Sequence, residues 1–187
     1  MTAFSLIPFQ PDQTLPRITI TGQIARFASQ LSLTWLVTGE IDQIAIAVPN
    51  PLPTRQDHLW QTTCFEFFLA LTDQPDYWEF NLSPSGHWNC YRFSDYRQGM
   101  VTETALKILP FQFDRSPQML TLQINLDLSG LFSPSQVLLV GISTVIQILN
   151  DKLSYWALSH PGPTADFHRR ESFQLDLPTE TQRSNKL

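Results

Sequence analysis

Positive charge is scarce in this chain: twelve lysines and arginines stand against seventeen aspartates and glutamates, a formal net charge of −5. Non-specific binding of DNA or RNA needs basic side chains to neutralise phosphates, so no nucleic-acid partner is expected. Two cysteines in 187 residues make no disulfide framework and are too few for a zinc site of their own. No apolar run reaches the roughly 18 residues of a membrane-spanning helix, and no membrane partner is expected. The opening Met-Thr-Ala-Phe-Ser-Leu has neither the basic region nor the apolar run of a secretory signal, so the expectation is a cytoplasmic protein. Also missing are a G-x-S-x-G elbow, a Walker loop, H-E-x-x-H and G-x-G-x-x-G, which points away from an enzyme. Low charge, 16%, with 12% aromatics excludes a largely disordered chain.

What the chain does have is apolar residues recurring with period two, the signal of half-buried strands. Residues 120–128 show it most cleanly, with an aliphatic side chain at every second position. Similar runs lie at 17–27, 31–38, 44–48, 60–71, 77–83, 87–93 and 153–158. Residues 137–149 are apolar on both sides, as in a central strand covered on both faces. Turn clusters of proline, glycine, serine and aspartate separate these runs at close spacing, which marks hairpins instead of βαβ crossovers. Only 102–109 has any helical period. About ten short strands without helices predict an all-β, antiparallel β-sandwich or barrel. One domain is expected over 1–177, followed by a polar, frayed tail at 178–187.

Side-chain parity sorts the central meander. In the first of its strands Phe65, Phe67 and Leu69 share one face, and Trp60, Thr62, Cys64, Glu66 and Phe68 the other. In the second, Trp78, Phe80 and Leu82 oppose Tyr77, Glu79, Asn81 and Ser83. Matching the apolar faces sets Leu69 beside Phe80 and Phe67 beside Leu82, across a four-residue loop at 73–76. A two-residue turn at Ser85-Gly86 then sends Tyr91 and Phe93 to the core and Trp88, Cys90 and Arg92 to the other face, with Arg92 opposite Glu79. The alternative slip would bury Arg92 unpaired among aromatics, at a cost of roughly several kcal/mol. One surface is thus expected to gather Trp60, Glu66, Glu79, Asn81, Trp88 and Arg92. That mixture is wrong for a core and suits a concave pocket for a small polar ligand. The plain structural alternative is an Arg92–Glu79 salt bridge on a partly covered sheet.

The same register offsets Glu66 from Glu79 by four residues, about 13 Å at 3.3 Å per residue, too far for a glycosidase carboxylate pair. It also sets Cys64 and Cys90 at least about 9.6 Å apart, beyond the roughly 7 Å reach of a disulfide. Asp166 and His168 lack a third ligand at motif spacing, so no metal site is assigned. An Asx turn at Asp166, with His168 capping the loop, accounts for both. Tyr155 and Trp156 alternate, and one of them must face away from the core. The end of that strand, with Trp156 and His160, is a candidate second wall of the pocket.

At Leu59-Trp-Gln-Thr-Thr-Cys-Phe-Glu-Phe-Phe-Leu, then Tyr77-Trp-Glu-Phe-Asn and Ser85-Gly86, the chain resembles the DOMON-like proteins, which are allied with the family 9 carbohydrate-binding modules. Ala157-Leu-Ser-His-Pro-Gly-Pro-Thr-Ala-Asp-Phe-His is similar to the end of small bacterial members. The resemblance runs over residues 55–175 and implies a jelly-roll-type sandwich with a ligand pocket on one sheet. In sugar-binding relatives a tryptophan precedes, by six residues, a glutamate that hydrogen-bonds the sugar, a spacing matched by Trp60 and Glu66. A second tryptophan completes the clamp there, for which Trp156, with Trp88 behind it, is the candidate. Haem-binding relatives use a methionine and a histidine; here Met100 falls in a loop and Met119 beside a strand start. The expectation is a non-catalytic domain for a small sugar or similar polar ligand. The alternatives are a haem-binding domain, or a protein-interaction domain whose aromatic face is covered by another chain.

Overall fold

The computed structural model describes residues 1–10 and 15–178. The tail expected to fray lies, beyond Pro178, outside the described residues. Among the described residues twelve strands follow one another: β1 (Thr2–Pro8), β2 (Ile18–Phe27), β3 (Gln30–Gly39), β4 (Cys64–Leu71), β5 (Tyr77–Leu82) and β6 (Trp88–Phe93), then β7 (Val101–Thr102), β8 (Phe111–Arg115), β9 (Met119–Asp127), β10 (Leu138–Gln147), β11 (Leu153–Ala157) and β12 (Leu175–Leu177). Three single 3-10 turns lie between them, and there is no α-helix among the described residues.

Every strand pairing is antiparallel, as the alternation predicts. One layer has the order β1-β2-β3-β9-β8 and the other β7-β6-β5-β4-β10-β11, with β12 also on β10. Strand β1 belongs to both, because its first part pairs with β2 while Ile7 and Pro8 pair with β11. The sandwich is therefore a single, strongly curled sheet. Its main core lies between the layers, where Ile20, Leu33, Trp35 and Leu122 from one meet Phe65, Phe67, Phe80 and Val140 from the other. Burial of each such side chain stabilises by about 1.5–3 kcal/mol.

Several local expectations are corrected. Residues 44–48 form only a bridge between Ile44 and Ile148, because Pro49, Pro51 and Pro53 follow and cannot donate to a ladder. Trp60 sits in the 3-10 turn Leu59–Gln61, not in a strand. Residues 102–109 are non-helical, with Thr102 closing β7. Strands β7, β8 and β12 escape the sequence pattern, being short or at an edge, and so does β1, which joins the two layers.

The faces of β4 and β5 are as expected, but their pairing is shifted by two residues: Phe67 faces Phe80, and Glu66 faces Asn81. For β6 the faces themselves are exchanged. Cys90 pairs with Phe80, Tyr91 with Glu79 and Arg92 with Trp78, so Trp88 and Cys90 join the main core. Tyr91 and Phe93 go to the outer face instead. The turn explains this. Ser83 donates its N–H to His87 O and Gly86 donates to Ser83 O, which makes a three-residue loop, 84–86. Its last residue, Gly86, takes the positive φ of 92°, the bulge position such loops require, and Ser85 is spared. Arg92 is neither buried nor unpaired. Its guanidinium reaches past the core edge, lies 5.1 Å over the Trp78 ring and pairs with Asp76 at 2.8 Å, a stem-in, head-out arrangement. Cys64 and Cys90 are both free thiols, as expected.

The second layer is apolar on its outer face too, and a strap from the same chain covers it. Strand β11 pairs with residues 143–147 of β10 and β12 with residues 138–140, both opposite the edge taken by β4. Residues 158–174 leave that edge and return to it, passing over the outer face on the way. There Phe68, Tyr77, Tyr91 and Phe93 pack with Phe173 of the strap. Phe173 lies directly on Gly141, whose missing side chain makes room: a Cβ there would come within 2.7 Å of Phe173 Cδ1. Gly141→Ala is expected to lower unfolding free energy by about 1–3 kcal/mol in urea titration. A loss below about 0.5 kcal/mol, the surface-substitution range, would show that Phe173 does not fix the strap.

Candidate functional site

Between the outer face and the strap lies a cavity of about 490 Å³, within the usual range for small-molecule sites. Its floor carries Glu66 from β4 and Glu79 from β5. Trp60, Phe93, Tyr155 and Phe167 supply aromatic surface around it.

Each wall is held from behind. Trp60 stands on a turn entered through His58, whose φ is +62°. That turn is tied to β6 by Asp57, which accepts hydrogen bonds from Tyr91 Oη at 2.6 Å and Asn89 Nδ2 at 2.9 Å. The Trp60 ring then meets Tyr91 edge-on at 5.9 Å. On the strap, Asp166 is the anchor. It accepts from Tyr96 Oη, from Arg97 Nη2 at 2.8 Å and from the backbone N–H of His168 at 3.1 Å. The last bond is the Asx turn expected from the sequence. His168 is thereby set into the aromatic cluster, edge-on to Phe93 at 5.0 Å, with Nδ1 2.8 Å from Tyr77 Oη. Tyr77 Oη also accepts the backbone N–H of Arg97, so its own proton goes to His168 Nδ1. The remaining ring proton is then on Nε2, which faces Glu79 Oε2 at 3.8 Å.

The electrostatics are unusual for a sheet face. Glu66 and Glu79 are both buried. The pairing sets them diagonally on adjacent strands, two residues apart along the ladder, a spacing of about 7–8 Å between Cα atoms. The four-residue, 13 Å offset expected from sequence is overturned, because the β4–β5 hairpin is centred one residue earlier in the chain, which shifts every pairing by two. Burial first, and the charge of Glu79 second, push the Glu66 carboxyl well above the ordinary carboxylate range. Burial raises Glu79 to about 7, against the Asn81 side-chain amide (2.9 Å) and the more distant Arg97, which lower it. Glu66 Oε2 accepts from Ser143 Oγ at 3.3 Å, whereas Oε1 has no hydrogen-bond partner among the described residues. Burial holds His168 at about 4, so it is neutral near pH 7 and its contact with Glu79 is not an ion pair. The cationic side chain lining the cavity is Arg97, and its charge is engaged by Asp166.

Of the residues singled out from sequence, Trp60, Glu66 and Glu79 line this cavity, and Asn81 lies beneath, bonded to Glu79. The other four do not. Trp88 faces the main core under the Arg55 guanidinium at 4.1 Å, and Arg92 leaves from the opposite side of the layer. Trp156 is buried in the main core with Nε1 donating to Ser154 Oγ, while its neighbour Tyr155 takes the wall position. His160 donates from Nε2 to Ile7 O and packs on Phe9. Sequence reasoning missed Phe93, Arg97, Phe167 and His168 as lining residues. The Asp166–His168 loop was the available signal; its placement over β5 depends on β12 returning to β10. The aromatic face that the protein-interaction alternative would cover with another chain is covered by this strap. Among the described residues no group of three or more His, Cys, Asp or Glu could hold a metal ion.

No family model and no curated protein sequence matches the chain. Solved structures do. A candidate carbohydrate-binding protein from Bacteroides uniformis superposes with a TM-score of 0.68 at 13% identity, over 96% of this chain and 86% of that one. A family 9 carbohydrate-binding module from Caldicellulosiruptor kristjanssonii in complex with glucose gives 0.53 at 11%, over 90% and 80%. A family 9 module from the same organism in complex with cellotriose gives 0.55 at 11%, over 94% and 82%. The fold is that of the family 9 carbohydrate-binding modules.

On this family 9 fold the buried carboxyls have a consequence for stability. Glu79, raised to about 7, keeps its proton in the native state where the unfolded chain has lost it. The native state therefore binds more protons between about pH 4.5 and 7, and its stability falls as pH rises through that window. His168, lowered to about 4, acts oppositely: its contribution is lost as pH falls from about 6.5 towards 4. Glu79→Gln removes the first effect and leaves the second. Relative to the unsubstituted protein, the variant is expected to gain about 3 kcal/mol between pH 4.5 and 8, at 1.36 kcal/mol per unit. Urea unfolding at both pH values measures this; a difference independent of pH would contradict the buried state of Glu79.

Proposed function

We propose that this chain is a non-catalytic binding module that takes a small sugar or similar polar ligand in the cavity beneath the strap. The observation that carries the reading is that Trp60 and Glu66, six residues apart, face one cavity: an indole at its side and a carboxyl at its floor. Apolar sugar ring faces pack on aromatic side chains, and hydroxyls need fixed donors and acceptors, which Glu66, Glu79 and Gln61 supply. The solved family 9 modules with glucose and cellotriose support a sugar over other polar ligands.

The competing haem reading fits less well. Haem ligation would draw on Met100 and His168, which line the same cavity. The residues do not fit that role, since His168 Nδ1 is engaged by Tyr77 and Nε2 is directed at Glu79.

Isothermal titration of the purified chain against a panel of mono- and disaccharides is expected to give saturable heat with at least one of them. Trp60→Ala is expected to weaken that binding by about tenfold or more, a loss of some 1.4 kcal/mol, while circular dichroism stays unchanged. Absence of heat with every sugar would overturn the proposal.

A further inference from the structure

The cavity floor holds two carboxyls and, among the described residues, no free cation to balance them. Arg97 spends its charge on Asp166, and His168 is neutral near pH 7. One oxygen, Glu66 Oε1, is fully buried, belongs to a side chain lining the cavity and has no hydrogen-bond partner among the described residues. On Glu79, Oε1 accepts from Asn81, but Oε2 has only the Nε2 of His168 at 3.8 Å, beyond hydrogen-bond length. Two acceptor positions on cavity-lining side chains are thus left without a donor among the described residues, beneath a ring of aromatic side chains. Buried acceptors left unpaired are costly and charges more so. Aromatic surface combined with unpaired carboxylates is what recognises an organic cation.

We propose that the ligand carries a protonated amine and that Glu66 and Glu79 together seat its ammonium group, which on the sugar-binding reading, on which this rests, makes the ligand an amino sugar. An ammonium has three donors and no acceptor. It can satisfy Glu66 Oε1 and Glu79 Oε2 at once by charge-assisted hydrogen bonds, about twice as strong as neutral ones. A neutral hydroxyl can donate to only one of the two and supplies no charge, so a proton held on one of the carboxyls must stay. The amine displaces that proton to solvent. No bond to carbon is made or broken.

The titration belongs to the carboxyl pair. The other groups around it are Cys64 from β4, Tyr77 from β5, Tyr91 from β6, Arg97 from the loop after β6, Tyr155 from β11, and Asp166 and His168 from the strap. Burial pushes the Cys64 thiol up, Tyr77 up to about 12 and Tyr91 up as well. His168 titrates near 4 and Asp166 below its ordinary value, while Arg97 stays charged. Burial keeps Glu66 protonated well above the ordinary carboxylate range, and Glu79, raised to about 7, is the member of the pair that changes state as pH rises from about 5 to 7.

The test is calorimetric titration of the full chain with glucosamine, glucose and N-acetylglucosamine, near pH 5 and near pH 7, in two buffers of different protonation heat. Near pH 7 glucosamine is expected to bind at least about tenfold more tightly than glucose and to release up to about one proton. N-acetylglucosamine, which keeps the nitrogen but not its charge, is expected to show neither effect. The advantage of glucosamine should shrink near pH 5, and in Glu79→Gln it should fall to within about twofold. Glucose binding as tightly as glucosamine, or N-acetylglucosamine sharing the advantage, or glucosamine binding without proton release, would overturn this inference and leave the sugar-binding proposal standing. No heat with any of the three would overturn both. Because the ratio in the unsubstituted protein already decides the matter, a variant that failed to fold would not protect the inference.

Discussion

The second layer of this protein carries apolar side chains on both faces, and that doubled burial governs everything outside the main core. An antiparallel layer can leave one face to water when that face is polar. Here Phe68, Tyr77, Tyr91 and Phe93 rule that out, and the chain resolves it by sending residues 158–174 out from one edge of β10 and back to it. Asp166 makes the excursion stiff: one carboxylate gathers Tyr96, Arg97 and the His168 backbone, and so joins the strap to the loop after β6. The cavity is the space this cover leaves over Glu66 and Glu79. Without the strap those carboxyls would be solvated, and their protonation would be ordinary.

The site is consequently an electrostatic one as much as an aromatic one. Placing two acids diagonally on neighbouring strands is tolerable only where at least one can hold a proton or a partner can neutralise it. His168, the nearest ionisable group of opposite potential charge, is itself buried among Phe68, Tyr77 and Phe93 and held neutral. The same cover that creates the cavity therefore withholds the counter-charge. Aromatic walls fixed from behind by Asp57 and Asp166 add shape, and rigid walls lower the ordering cost of taking up a ligand.

The β5–β6 hairpin shows how one turn can redirect a functional surface. A two-residue turn and a three-residue turn at the same Ser-Gly pair differ by one step of register, and one step exchanges the faces of the whole strand. The burial cost of Arg92 seemed to decide the matter from sequence, yet the side chain lies near a sheet margin where its head group escapes to Asp76. A rule about buried charge holds for the charge, not for the Cα that carries it. With that strand reversed, Phe93 and Tyr91 replace Trp88 and Arg92 on the ligand side.

What the amino-acid sequence determined by itself was whatever depends on short-range alternation. That covers the all-β antiparallel class, the inward face of β4 and β5, and the sharing of one side by Glu66 and Glu79, which follow from period-two patterning and need no knowledge of distant partners. The central position of β10 follows from its unbroken apolar run, whereas Trp60 reaches the same side from a 3-10 turn outside that alternation. Tertiary structure alone decided the two-residue shift that brings the glutamates together and the choice of Tyr155 over Trp156 as a wall. It also decided the return of β12 that folds Phe167 and His168 over the site. Each of these is fixed by contacts between segments tens of residues apart, and parity along a single strand carries no information about the length of a turn or the path of a strap.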